Sequence, residues 1–239
     1  MLSFEADLYD QLQIVQILAR LRELDVPPSR IKLICVGEHV GIARFGGLAE
    51  LNGEQLSRLP ATALTSAALE LASRAWAALR APDPAGLGAI TGARSPELRF
   101  VGEAFDRLGR EYPSTRDGLS LTERRVLAVI LAGTLTARAA FVRGAAREAR
   151  PFLGDSWCFE RMARMAGGST PLLEIEPAGP VRQNTRVRLT AAGRSVLDGR
   201  ADQVALNGLD RWIGGVHLKG SSSPWRWDEG TETIVRADR

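Results

Sequence analysis

Two groups of side chains have the types and the spacing to do chemistry. The first is acidic: in the opening stretch FEADLYD, Glu5, Asp7 and Asp10 bring three carboxylates together, with the phenol of Tyr9 among them. Carboxylates grouped in this way can hold a hard cation or act as a general base. The second group is basic. Trp157, Glu160, Arg161 and Arg164 recur at i, i+3, i+4 and i+7, which places them on one side of a helix. Guanidiniums on such a face suit phosphate oxygens and guanine edges. Arg182, Arg186 and Arg188 follow shortly after in sequence, within reach of the same backbone. Glu160 lies among these would-be contacts, and an outward tryptophan is more at home in a protein–protein interface. Both readings of this face therefore stay open.

The elements that must position these groups are legible to different degrees. Leu8, Leu12, Val15, Leu18, Leu21 and Leu24 predict a helix over residues 7–24, stopped by Val26-Pro27-Pro28. Asp7 can cap that helix instead of joining a site, and the cap is the better reading. The apolar run IKLICV (31–36) suits a strand buried on both faces. A strand end, a helix and a strand make a βαβ pattern whose first strand is nearly missing. The sheet expected here is incomplete, to be completed by a second chain or by residues before Met1. Residues 50–112 then read as helical, with Ser95-Pro96 opening a helix that carries Leu98, Val101, Phe105 and Leu108.

After the polar stretch EYPSTRDG, taken as the domain boundary, Ser120-Leu121-Thr122-Glu123 has the form of a capping box. It predicts a helix to Leu131. A second helix follows over 136–149, and a third over SWCFERMARMA, capped by Asp155 and closed by Gly167-Gly168. PLLEIE and TRVRLT read as two strands, and Thr190 can cap a last helix. Three helices, two strands and a helix is the order of a winged helix-turn-helix, with the third helix offered to a major groove. In the tail, Val216/Leu218 and Trp225/Trp227 alternate around KGSSSP and predict a hairpin. Its tryptophans either stack on bases or, in the better reading, cover apolar surface.

Net charge is +3, but the excess is local. Residues 1–117 carry 13 basic and 15 acidic side chains, residues 118–200 carry 13 and 7, and residues 201–239 carry 5 and 6. A surplus confined to the middle block points to a polyanionic partner, duplex DNA foremost. Only two cysteines occur, Cys35 and Cys158, without metal-ligand spacing, so neither a zinc site nor a disulfide framework is expected. No Walker loop, G-x-G-x-x-G, G-x-S-x-G or H-E-x-x-H is present, and the two histidines, His39 and His217, have no partner assignable from sequence. No cofactor and no metal are expected, and the enzyme reading leans to no. No membrane segment is expected, and a cytoplasmic location follows as the default.

The stretches FEADLYDQLQ, GLSLTERRVL, FLGDSWCFERMARM, RLTAAGRSVL and DRWIGGVHL…WRWD resemble, over essentially the whole chain, a bacterial family of unknown function. Its members join an N-terminal α/β domain to a C-terminal winged-helix-like region. The resemblance implies about a hundred residues, within one ordinary domain, before the DLYDQLQ motif. They open with a Gly-Asp-Ser-type turn after a first strand, so Met1 reads as an internal start. It also implies a histidine between the Glu and Asp of the opening motif, where this chain has Ala6. That departure weakens a metal-ligand or general-base role for Glu5, Asp7 and Asp10.

The expected fold is thus a truncated, mostly helical α/β N-terminal domain (1–112), an α+β winged helix-turn-helix domain (113–200) and a Trp-rich β-hairpin tail (201–239). The expected function is DNA binding or regulation through Trp157, Arg161, Arg164, Arg182, Arg186 and Arg188. The alternatives are docking to another protein, or a homodimer or second protein that completes the N-terminal sheet. A further alternative is an enzyme whose active site lies largely before Met1.

Overall fold

A computed structural model describes residues 1–221 and 223–237. Ser222, within the expected KGSSSP turn, and residues 238–239 of the expected tail lie outside the described residues. The protein is mixed α/β and forms two compact units, Met1–Leu108 with Arg150–Phe152, and Gly109–Ala149 with Leu153–Arg239. Among the described residues, no helix is long and apolar enough to cross a membrane.

In the first unit, β1 (Leu2–Glu5) runs parallel to β2 (Lys32–Val36), with Leu2 opposite Leu33 and Glu5 opposite Val36. Helix α1 (Leu8–Glu23) connects them and turns Leu8, Ile14, Val15 and Leu18 inward. Asp7 caps it by accepting from the Asp10 amide at 3.1 Å. Two short elements, α2 (Gly53–Ser57) and β3 (Thr62–Ala63), follow. Strand β3 was not expected, because two exposed residues have no periodicity to read; it pairs antiparallel with β2. Helix α3 (Ser66–Arg80) packs on α1 and buries Leu69, Ala72 and Ala75. After α4 (Leu87–Thr91) comes α5 (Val101–Gly109), which starts later than expected. Ser95 does accept from the Leu98 amide, but that bond closes a separate turn before the helix begins.

The second unit begins with α6 (Leu121–Ile130), whose capping box is complete. The Ser120 hydroxyl accepts from the Glu123 amide at 3.3 Å, and the Glu123 carboxylate accepts from the Ser120 amide at 2.8 Å. Then come β4 (Leu135–Thr136), α7 (Ala137–Ala145) and α8 (Asp155–Ala166). Gly154, not Asp155, is the residue before the first turn of α8; the Asp155 carboxylate accepts from the Ser156 amide inside that turn. Strands β5 (Leu173–Glu176) and β6 (Arg186–Leu189) join β4 in an antiparallel sheet of order β4-β6-β5. Helix α9 (Ala191–Leu197) closes this region, capped by Thr190. Leu127, Ile130, Ala140, Met162, Leu172 and Val187 form its core. Cys158 belongs to the same core, and burial pushes its thiol up to about 11, which leaves it unreactive.

After α10 (Gln203–Asn207) the tail forms two hairpins, β7 (Leu209–Ile213) with β8 (Val216–Gly220), and β9 (Trp225–Asp228) with β10 (Thr233–Arg236). This corrects the single hairpin expected around KGSSSP. Gly214, at φ 57°, and Gly215 supply a two-residue turn, which matches strand twist better than a six-residue loop. The tail is also tied into the second unit. The Trp227 amide donates to the Pro113 carbonyl at 2.9 Å, and the Thr115 amide to the Trp227 carbonyl at 2.8 Å. The indole lies under Gly109, where an added Cβ would come within 2.8 Å of the ring.

The closest such approach is in the second unit. A Cβ on Gly193 would lie 2.2 Å from the Leu172 carbonyl oxygen, an atom fixed in backbone. We predict that Gly193→Ala destabilises the second unit by about 1–3 kcal/mol. Gly88→Ala, which meets open space inside α4, is expected to be neutral or stabilising by up to about 1 kcal/mol. Urea unfolding of both variants checks the contrast.

Candidate functional site

The carboxylates of the opening motif meet at the C-terminal ends of the two parallel strands, where open α/β sheets place ligands. Ligand atoms of Glu5, Asp7 and Asp10 lie within 4.8 Å of one another. Each carboxylate also has a structural partner. Glu5 Oε1 accepts from the Leu48 amide at 2.7 Å, Asp10 Oδ2 from the Glu5 amide at 2.5 Å, and Asp7 caps α1. Gly47 has no side chain because the Glu5 carboxylate occupies the space, 2.5 Å from where a Cβ would be. Burial, with the Asp10 and Glu5 charges, pushes the Asp7 carboxyl up, against the Asp10 amide that holds it down. Arg150 donates to the Gly37 carbonyl at 2.8 Å and pairs with Glu103 at 3.0 Å. The hollow bounded by Glu5, Asp7, Gly37, Phe45, Gly47 and Arg150 holds about 20 Å³, room for a water and not for an organic substrate. Tyr9 is exposed at 65%.

The basic group is divided by the structure. Trp157 lies outward, 60% exposed, and Arg164 is exposed but paired with Glu160 at 2.6 Å. Arg161 turns inward. Its side chain is only 19% exposed, and its guanidinium lies 3.6 Å from the Glu123 carboxylate. Arg211 of β7 pairs with the same carboxylate from another direction. The expectation that Arg161 faces outward with Arg164 is therefore corrected. A residue on the boundary of a helix face can swing either way, and a buried carboxylate attracts the guanidinium inward. Burial pushes the Glu123 carboxyl up, but Arg211, Arg161 and the Ser120 amide together outweigh it, so it lies below the usual range. Burial and the Arg211 charge push the Arg161 guanidinium down. Arginine nonetheless stays charged in proteins.

On the β5–β6 hairpin, Arg188 faces outward and pairs with Glu174 across the strands. Arg182 and Arg186 are exposed, with no carboxylate partner among the described residues. Arg186 stands opposite Thr136 in β4. The N-terminus of α7 meets the same hairpin loop: the Ala137 amide donates to the Thr185 carbonyl, and the Arg138 amide to the Gln183 carbonyl. Arg138 was not singled out from sequence. Its signal was available in Thr136, which caps α7 and so fixes Arg138 in the first turn beside the hairpin loop.

Of the histidines, His217 pairs with Asp210 at 2.7 Å and stacks on Trp212, itself 64% exposed, with centroids 4.3 Å apart. His39 lies near Phe45. Trp227 is buried and Trp225 half-buried, and Arg226 pairs with Asp202 at 3.0 Å. No protein-family model matches the chain, and no curated protein matches it either.

One buried carboxylate is poised to titrate. Asp117 is fully buried; one oxygen accepts from the Leu119 amide at 2.9 Å and from Arg124 at 3.0 Å, while the other has no partner among the described residues. Burial dominates and pushes its carboxyl up to about 6. The folded state therefore holds a proton that the unfolded chain has already lost, and stability falls as pH rises from about 4 to about 6. Asp117→Asn is predicted to remove that slope, as read from urea midpoints across this pH range. An unchanged slope would assign it to another group.

Proposed function

We propose that residues 113–200 form a winged helix that binds duplex nucleic acid by its backbone, within a regulatory protein. The order α6, β4, α7, α8, β5, β6 and the sheet order β4-β6-β5 support the winged-helix reading. The observation that carries the function is the convergence of Arg138, Arg182 and Arg186 where α7 meets the β5–β6 hairpin. Phosphate contacts give affinity and register without reading bases. Base readout through α8 is disfavoured, because Arg161 is engaged with Glu123 and Arg164 with Glu160. In this account Arg188 contributes little, since Glu174 neutralises it.

A second reading is favoured by one observation. Trp157 is a large exposed aromatic on a helix face whose charges pair with one another, which suits docking to a protein. The two readings separate in one experiment on the full chain: fluorescence anisotropy with labelled random-sequence duplex DNA from low to physiological salt. Backbone binding predicts affinity that falls steeply with salt. Replacing Arg138, Arg182 and Arg186 together by Ala should lower the log–log slope by about 0.9 per lost contact. Arg161→Ala and Trp157→Ala should leave that slope unchanged. Absent or salt-insensitive binding would reject the nucleic-acid reading and leave docking through Trp157.

A further inference from the structure

The connection between β5 and β6, PAGPVRQN (177–184), contains no acidic residue. Its last turn is held from several sides. Val181 packs against the core described above, and Thr185 is buried. The Arg182 amide donates to Thr185 Oγ1 and the Thr185 amide donates to the Arg182 carbonyl, both at 2.9 Å. From α7, the Arg138 amide donates to the Gln183 carbonyl at 3.0 Å and the Ala137 amide to the Thr185 carbonyl at 2.8 Å. Between these anchors Arg182, Gln183 and Asn184 stand exposed on a fixed backbone. On the duplex binding proposed above, from which this step proceeds, we propose that Gln183 and Asn184 enter the minor groove and select A·T over G·C base pairs.

The hydrogen-bonding chemistry of the tip favours that groove. The Arg138 guanidinium, which can only donate, lies 3.5 Å from Gln183 Oε1. It engages the oxygen of that amide and leaves the NH2 to donate elsewhere. Asn184 brings a second amide NH2 beside it. The minor-groove edge of an A·T pair offers only acceptors, adenine N3 and thymine O2, whereas a G·C pair adds the guanine 2-amino donor. Amide donors are satisfied by the first edge and opposed by the second. A groove about 6 Å wide admits side chains from a turn and not a helix, and Asn and Gln are among the residues that read it. Arg182, next to them, remains a phosphate contact that holds the tip at the groove.

Fluorescence anisotropy of the full chain tests this with labelled duplexes of equal length. One is A·T-rich at its centre, one is G·C-rich, and in the third inosine replaces the guanines of the second. Inosine lacks the 2-amino group and leaves the major-groove edge unchanged. The A·T-rich and inosine duplexes should bind alike, each at least about fivefold more tightly than the G·C-rich duplex. Replacing Gln183 and Asn184 together by Ala removes no charge, so it should erase the preference and leave the salt slope as it was. Steep salt dependence with equal affinity for every duplex would overturn the proposal while backbone binding stood. A preference that survives in the Gln183→Ala/Asn184→Ala protein would also overturn it. Failure to bind any duplex would instead remove the proposed function, and this selectivity with it.

Discussion

The Glu123 carboxylate is buried where three elements of the second unit meet. Its amide and side chain complete the cap of α6, Arg161 reaches it from α8, and Arg211 reaches it from β7. A buried carboxylate is tolerable only when paired and hydrogen-bonded, and here it has two guanidiniums and a backbone amide. The same interactions fix α8 and the first tail hairpin against α6. Removing either arginine leaves the carboxylate with a single guanidinium and the Ser120 amide. Much of the second unit's geometry follows from that requirement.

One consequence concerns function. Had Arg161 been free, α8 would present two arginines outward, and base readout would be the natural reading. With Arg161 committed to Glu123 and Arg164 to Glu160, the helix face offers Trp157 and little net positive charge. Among the described residues, the arginines that lack a carboxylate partner include Arg138 on α7 and Arg182 and Arg186 on the hairpin. Under the proposed function these side chains would make phosphate contacts, which position a protein on a duplex without reading bases. The opening carboxylates are similarly engaged. Glu5 and Asp10 accept backbone amides and Asp7 caps α1, so their grouping has a structural explanation before any catalytic one.

Local chemistry was the legible part of the sequence. The Ser120–Glu123 capping box, the Thr190 cap, the apolar stripe of α1 and the run that became β2 are short-range patterns, and each appears where its residues indicated. Long-range partners were not legible. Nothing near Arg161 in sequence announces Glu123, 38 positions earlier, or Arg211, 50 positions later. The tail shows the same limit. Alternation identified its strands, but whether β8 paired forward across KGSSSP or back across Gly214-Gly215 depended on which turn closes more tightly. Strand β3 had no local signature, since pairing with a distant segment creates it.

Glu123 couples α6, α8 and β7 through its two arginines. A double-mutant cycle of Glu123→Gln and Arg211→Met, read from urea unfolding of the full chain, tests it most directly. Glu123→Gln alone should cost about 3–5 kcal/mol, because it takes the shared carboxylate from two partly buried guanidiniums. The coupling energy between the two sites should exceed about 1 kcal/mol. Additive effects, or a Glu123→Gln cost no larger than that of a surface substitution, would contradict the account. They would show that α8 and the tail are held by packing alone, leaving Arg161 free to turn outward.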